Sequence, residues 1–236
     1  MKTIGLLGGM SWESTQGYYK AINEGVKAKL GGLHSAKIAL MSVDFAEIEQ
    51  LQHQNDWDSC AQILLSASLD VQSAGADCLL ICTNTMHKVA PSIEERINIP
   101  LLHIADATGQ TLLNANITKV GLLGTAFTME QDFYKGRLQN KFSLDVITPN
   151  GEDRAEVHRV IYEELCKGQL LESSKERYLE IIEKLKAQGA QGVILGCTEI
   201  GLLVKQKDTD VKLFDTTAIH AETAVDFALS DLLSYT

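Results

Sequence analysis

Two stretches of this chain recur in the same order at nearly the same distance. Ile4-Gly5-Leu6-Leu7-Gly8 matches Val120-Gly121-Leu122-Leu123-Gly124, 116 positions on. Gly75-Ala76-Asp77-Cys78-Leu79-Leu80-Ile81-Cys82-Thr83 matches Gly189-Ala190-Gln191-Gly192-Val193-Ile194-Leu195-Gly196-Cys197, 114 positions on. A single match of Gly-Leu-Leu-Gly type is cheap. Two matches in register argue for duplicated halves of one architecture.

Each matched stretch is short and almost continuously apolar, as parallel strands covered on both faces must be. The expected strands are Thr3–Leu7, Lys37–Val43, Asp77–Cys82, Leu101–His103, Lys119–Leu123, Leu144–Ile147, Gly192–Leu195 and Lys212–Phe214. Between them, apolar residues fall at helical spacing over Glu13–Leu30, Trp57–Ala74, Glu152–Lys167 and Ser174–Gln188. Gly31-Gly32, Gly75 and Gly189 stand where helices should end. The pattern predicts an α/β fold of two pseudo-symmetric, doubly wound parallel-sheet halves with an active site in the cleft between them. Residues 1–105 with 212–236 should form one half and 106–211 the other.

Bulk properties narrow the function. The formal charge is −10, with no basic cluster, which argues against nucleic acid and anionic membranes as partners. No apolar run approaches the roughly 20 residues that span a bilayer. Met1–Leu7 is too short for a signal core. The five cysteines form neither a C-x-x-C nor a zinc pattern. A reducing, cytoplasmic setting and no metal are expected.

Ligands of open parallel sheets bind beyond the carboxyl ends of the strands. Four turns fall there: Gly8-Gly9-Met10-Ser11, Thr83-Asn84-Thr85, Gly124-Thr125-Ala126 and Cys197-Thr198-Glu199. Their small residues, hydroxyls and helix-start amides suit a carboxylate. They match no nucleotide loop, since no G-x-G-x-x-G or Gly-Lys-Ser/Thr is present. With no lysine on the four turns, pyridoxal phosphate chemistry is not expected.

Cys197 ends a buried strand and should start a helix, where a thiol pKa falls and the thiolate is favoured. Cys60, Cys78 and Cys166 read instead as small buried hydrophobes. Cys82 and Thr83 are neighbours on a strand and should point to opposite faces. Cys82 has the parity of Cys78, and the repeat pairs Thr83 with Cys197. Thr83 should therefore face the cleft and Cys82 the sheet interior. Glu199 has three candidate roles: orienting Cys197, contacting a substrate ammonium, or capping its own helix. His87 and His220 read as proton relays or as satisfied structural histidines, and Lys167 as a partner for a substrate carboxylate or a solvated helix end.

At these turns the chain resembles the cofactor-independent aspartate/glutamate racemase family. The resemblance covers essentially the whole chain and rests on Gly8-Gly9-Met10-Ser11-Trp12, Thr83-Asn84-Thr85-Met86-His87-Lys88 and Gly196-Cys197-Thr198-Glu199-Ile200-Gly201. These strings look most like the L-aspartate/glutamate-specific, or broad-specificity, subgroup. The family carries a cysteine where this chain has Thr83, a replacement the subgroup shares.

The resemblance implies catalytic roles for Thr83 and Cys197, with Cys197 acting on L-isomers. It also implies a substrate pocket of Met10, Gln52, Thr83, Asn84, Thr85, Thr125, Cys197, Thr198 and Glu199. Some aspartate racemases place an arginine near Glu49-Gln50-Leu51-Gln52-His53; none is present, which leaves the substrate carboxylate to Gln52, with His53 beside it. A small amino acid as substrate, no cofactor and a homodimer follow from the same resemblance. Rival readings are another reaction of the superfamily (hydantoin racemisation, maleate isomerisation, malonate decarboxylation), a non-catalytic amino-acid sensor, and a cysteine hydrolase built on Cys197 and a histidine.

Overall fold

Two three-layer units make up the protein, one containing Met1–Ile104 with the chain from His220 on, the other Ala105–Ile219. The computed structural model describes residues 1–233; the last three residues of the segment expected to return to the first half lie outside the described residues. No helix of the described residues is long and apolar enough to cross a membrane.

In the first unit the elements run β1 (Ile4–Gly8), α1 (Trp12–Leu30), β2 (Ile38–Ser42), α2 (Phe45–His53), α3 (Trp57–Ser73), β3 (Cys78–Ile81), a 3-10 turn (Thr85–Val89) and α4 (Ala90–Glu94). The strands are parallel in the order β2-β1-β3. Side chains alternate as a doubly covered sheet demands. Ile4, Leu6, Cys78, Leu80 and Cys82 pack with Tyr18, Ile22 and Val26 of α1 and with Ala221, Ala224, Val225 and Leu229 from the end of the chain. Leu7, Leu79 and Ile81 face the other way, onto Ile48, Leu64, Val71 and Ile93. Fully burying one such aliphatic side chain stabilises the fold by roughly 1.5–3 kcal/mol.

The second unit follows with α5 (Ile104–Asn114), β4 (Lys119–Gly124), α6 (Ala126–Glu130), α7 (Lys135–Phe142), β5 (Asp145–Ile147), α8 (Gly151–Glu163), a 3-10 turn (Leu165–Lys167), α9 (Glu172–Ala187), β6 (Val193–Gly196), α10 (Ile200–Leu203) and β7 (Leu213–Asp215); α11 (Thr216–Leu233) starts there and returns to the first unit from His220 on. Its parallel order is β5-β4-β6-β7.

The repeat reappears as hydrogen-bond register. Gly5 pairs with Leu79 and Leu7 with Ile81 in the first unit; Gly121 pairs with Val193 and Leu123 with Leu195 in the second. These are the same positions shifted by the two sequence offsets, so each unit presents the same strand ends in the same stagger.

Two expectations need correction. Leu101–His103 forms only one bridge, to Leu79, because the chain turns into α5 at Ile104 before a ladder can grow. The segment from Lys212 was assigned to the first half, yet β7 pairs with β6 along Val193–Leu195, and the chain rejoins the first unit at His220. β7, with only Leu213 and Phe214 apolar, finds its partner in β6, which spacing along the sequence does not reveal.

Candidate active site

The first turn follows β1 and is held by its own hydroxyls. Gly9 has φ +96°, and a Cβ there would lie 2.1 Å from the Val43 carbonyl oxygen, so only glycine fits. The Gly9 amide donates to Thr15 Oγ1 at 2.8 Å, and that hydroxyl donates to the Ser11 carbonyl at 2.8 Å. Ser11 Oγ caps α1 by accepting from the Ser14 amide, and Ser14 Oγ donates to the Cys82 carbonyl at 3.0 Å, tying this turn to the end of β3. Met10 is buried in the first unit's core beside Leu7 and Ile48.

At the end of β3, Cys82 is fully buried in the face shared with Cys78 and Leu80, and desolvation pushes its thiol far up. Thr83, the next residue, is half-buried, while Asn84 and Thr85 are buried. The Thr83 carbonyl accepts from His87 Nδ1 at 2.8 Å. Gln52, buried on α2, donates to Met86 Sδ at 2.9 Å, just beyond the Thr83 turn.

In the second unit Thr125 caps α6, its Oγ1 accepting from the Thr128 amide at 3.3 Å. The Ala126 amide donates to His158 Nδ1 at 3.1 Å. Several helix-start amides expected to await a ligand are thus already engaged, at Ser14, Thr128 and Ala126.

Cys197 and Thr198 converge on one carboxylate. Cys197 Sγ donates to Glu199 Oε2 at 2.9 Å, and Thr198 Oγ1 donates to the same oxygen at 2.7 Å. The expected lowering of the Cys197 pKa is reversed. Burial drives it well up, followed by the Glu199 charge and the nearby Cys166; a backbone hydrogen bond at Glu199 pulls the other way and is outweighed. α10 has four residues and starts at Ile200, so the helix terminus brings little field to the sulfur. At rest Cys197 is a thiol handing its proton toward a carboxylate.

Residues 7–224 match the family described as Asp/Glu/hydantoin racemase, which is most of the chain. The chain belongs to that family. It is 58% identical to a Yersinia pestis protein classed with the Asp/Glu racemases, over 97% of this chain and 100% of that one, with a TM-score of 0.90. An aspartate racemase homologue from Pyrococcus horikoshii OT3 is 36% identical over 97% and 99% of the two chains, with a TM-score of 0.84. The broad-specificity amino-acid racemase RacX of Bacillus subtilis is 20% identical over 96% of this chain and 98% of its own length.

Other residues singled out from this racemase sequence fall in different places. His53 pairs with Glu49 at 2.7 Å on the exposed side of α2. Lys167 is exposed in the turn after α8. His220 is fully buried, with Tyr18 Oη 2.9 Å from Nδ1 and the Leu102 carbonyl 2.6 Å from Nε2. Cys60 and Cys78 are buried as expected, but Cys166 is only half-buried and close enough to act on Cys197. His158 was missed altogether. It approaches the Thr125 turn from α8, 32 positions along the chain, and carries no local motif.

Proposed function

We propose that this member of the family is a cofactor-independent racemase of aspartate and glutamate, in which Cys197 removes the α-proton of the L-isomer and Thr83 supplies one to the opposite face. The reaction needs one such group on either side of a single carbon. What carries the reading is the Cys197–Glu199 contact, a thiol with its proton acceptor already in place.

A buried thiol beside a carboxylate is a poor base until it loses its own proton. Glu199 takes that proton, and the substrate ammonium offsets the negative charge left on the sulfur. The thiolate then attacks the Cα proton at hydrogen-bond range. Hydroxyls and amides of Asn84, Thr85, Thr125 and Thr198 stabilise the carbanionic state. Met10 and Gln52 line the pocket. Thr83 gives up its hydroxyl proton and regains one from water, and Glu199 releases the proton it took to the hydroxide this leaves, so Cys197, now carrying the α-proton, Glu199 and Thr83 return to their starting states. Because enantiomers have equal free energy, kcat/KM is the same in both directions. The weakness of a threonine base therefore appears as a low kcat for D-substrates with a proportionally low KM.

The test is incubation of the purified protein in D₂O with L- and D-aspartate and L- and D-glutamate, without added cofactor, reading Cα–H loss and enantiomeric composition. Deuterium should enter the opposite enantiomer, and Cys197→Ser should abolish it. A 5-substituted hydantoin checks the neighbouring activity in the family's name. No exchange from any amino acid would overturn the proposal.

A further inference from the structure

We propose that His87 is a positioning residue for Thr83, fixing the catalytic turn through the bond from its Nδ1–H to the Thr83 carbonyl. The inference rests on the reading of Thr83 as one of the two proton-transfer groups.

The bond answers a local deficit. In an α-helix the Thr83 carbonyl would accept the amide of residue 87. Here a 3-10 turn begins at Thr85, and the His87 amide goes to the Asn84 carbonyl at 3.1 Å instead. The ring of His87 reaches back to Thr83 in its place. Its other nitrogen, Nε2, accepts from the Ile104 amide at 3.2 Å. That amide opens α5. A carbonyl only accepts and an amide N–H only donates, so the ring is the neutral tautomer with hydrogen on Nδ1. Protonation would set two N–H groups against each other.

The ring is held against turning. His103 packs on it with centroids 4.5 Å apart, and His220 meets it edge-on at 5.9 Å. His220 is itself fixed by Tyr18 and the Leu102 carbonyl. A flip of the His87 ring would aim carbons at both of its partners. The group it holds belongs to the residue whose hydroxyl must meet Cα, where a displacement of about 1 Å costs on the order of a hundredfold in rate.

Three variants separate positioning from mere packing. In His87→Asn the amide nitrogen takes the place of Nδ1 and keeps the bond to Thr83. In His87→Gln the amide lies near Nε2, toward Ile104. His87→Leu keeps neither bond. The expected kcat/KM for L-aspartate or L-glutamate is within about threefold of wild type for His87→Asn and roughly 10- to 100-fold lower for the other two. Melting temperatures should fall similarly in His87→Asn and His87→Gln. In parallel, nitrogen-15 NMR of the wild type should show His87 hydrogen on Nδ1. Backbone signals of Thr83, Asn84 and Thr85 should stay in place in His87→Asn and move in His87→Gln. Activity that follows melting temperature, or an Nε2–H tautomer, overturns the inference. A wild type that racemises nothing while the NMR order holds overturns the functional reading and leaves His87 as the residue that sets this turn.

Discussion

Acidification should weaken the protein through His220, and the size of the effect follows from its surroundings. Burial pushes this imidazole from an ordinary pKa of 6.5 down to about 4; the Leu102 carbonyl only partly opposes that. Nδ1 faces the Tyr18 hydroxyl, the Tyr18 ring lies at 5.6 Å, and the His87 ring stands edge-on at 5.9 Å. The folded pKa lies below the unfolded one. Between the two values the unfolded chain holds the extra proton, so stability falls as pH drops from 6.5 toward 4. At about 1.4 kcal/mol per pKa unit, the gap amounts to roughly 3 kcal/mol, of which about 2 fall between pH 7 and 4.5.

The perturbation is His220→Gln with Tyr18→Phe, which keeps a donor for Leu102 and leaves no orphaned hydroxyl. Urea unfolding at pH 7 and pH 4.5 reads the result. The variant should be less stable at pH 7 by about 1–2 kcal/mol, from the lost hydrogen bond and looser packing. It should lose about 2 kcal/mol less than wild type on acidification, so the two curves converge. Equal losses in both proteins would refute the assignment of His220 as a buried neutral histidine.

Glu199→Gln removes both the charge that raises the Cys197 pKa and the acceptor for its proton; alkylation of Cys197 by iodoacetamide at pH 8 should quicken while racemisation falls on the order of a hundredfold. Two effects in the same direction would deny Glu199 the role of base. Thr83→Cys should raise kcat for D-substrates on the order of tenfold and change kcat/KM by one common factor in both directions, measured by polarimetry or chiral chromatography. Gly9→Ala should lower stability by about 2 kcal/mol or more in thermal unfolding, since the backbone is at φ +96° and the Val43 carbonyl occupies the Cβ position.

Much of the frame was legible in the sequence because strands covered on both sides must be apolar. The matched runs at β1 and β4, and at β3 and β6, carried over into matching registers. The parity of Cys78 and Cys82 likewise placed both in one core face. Where a strand has only three residues, at Leu213–Asp215, or is cut short by a turn, at Leu101–His103, local sequence says nothing about the partner.

The sequence by itself determined the α/β class, the repeated strand ends and the residue types standing at them, because periodicity and short motifs are local properties of the chain. The ionisation of Cys197 was decided chiefly by tertiary structure. A thiol at an apparent helix start should be acidic; Cys197 is instead held protonated by burial and by a carboxylate two residues on. The sequence marks His87 and His220 as candidates but leaves open whether each is a relay or a structural group. What separates the two possibilities is Ile104, Leu102 and Tyr18, brought within hydrogen-bond reach only when the chain folds. Dielectric environment and long-range contacts are set by what packs around a group, and no run of neighbouring residues encodes that.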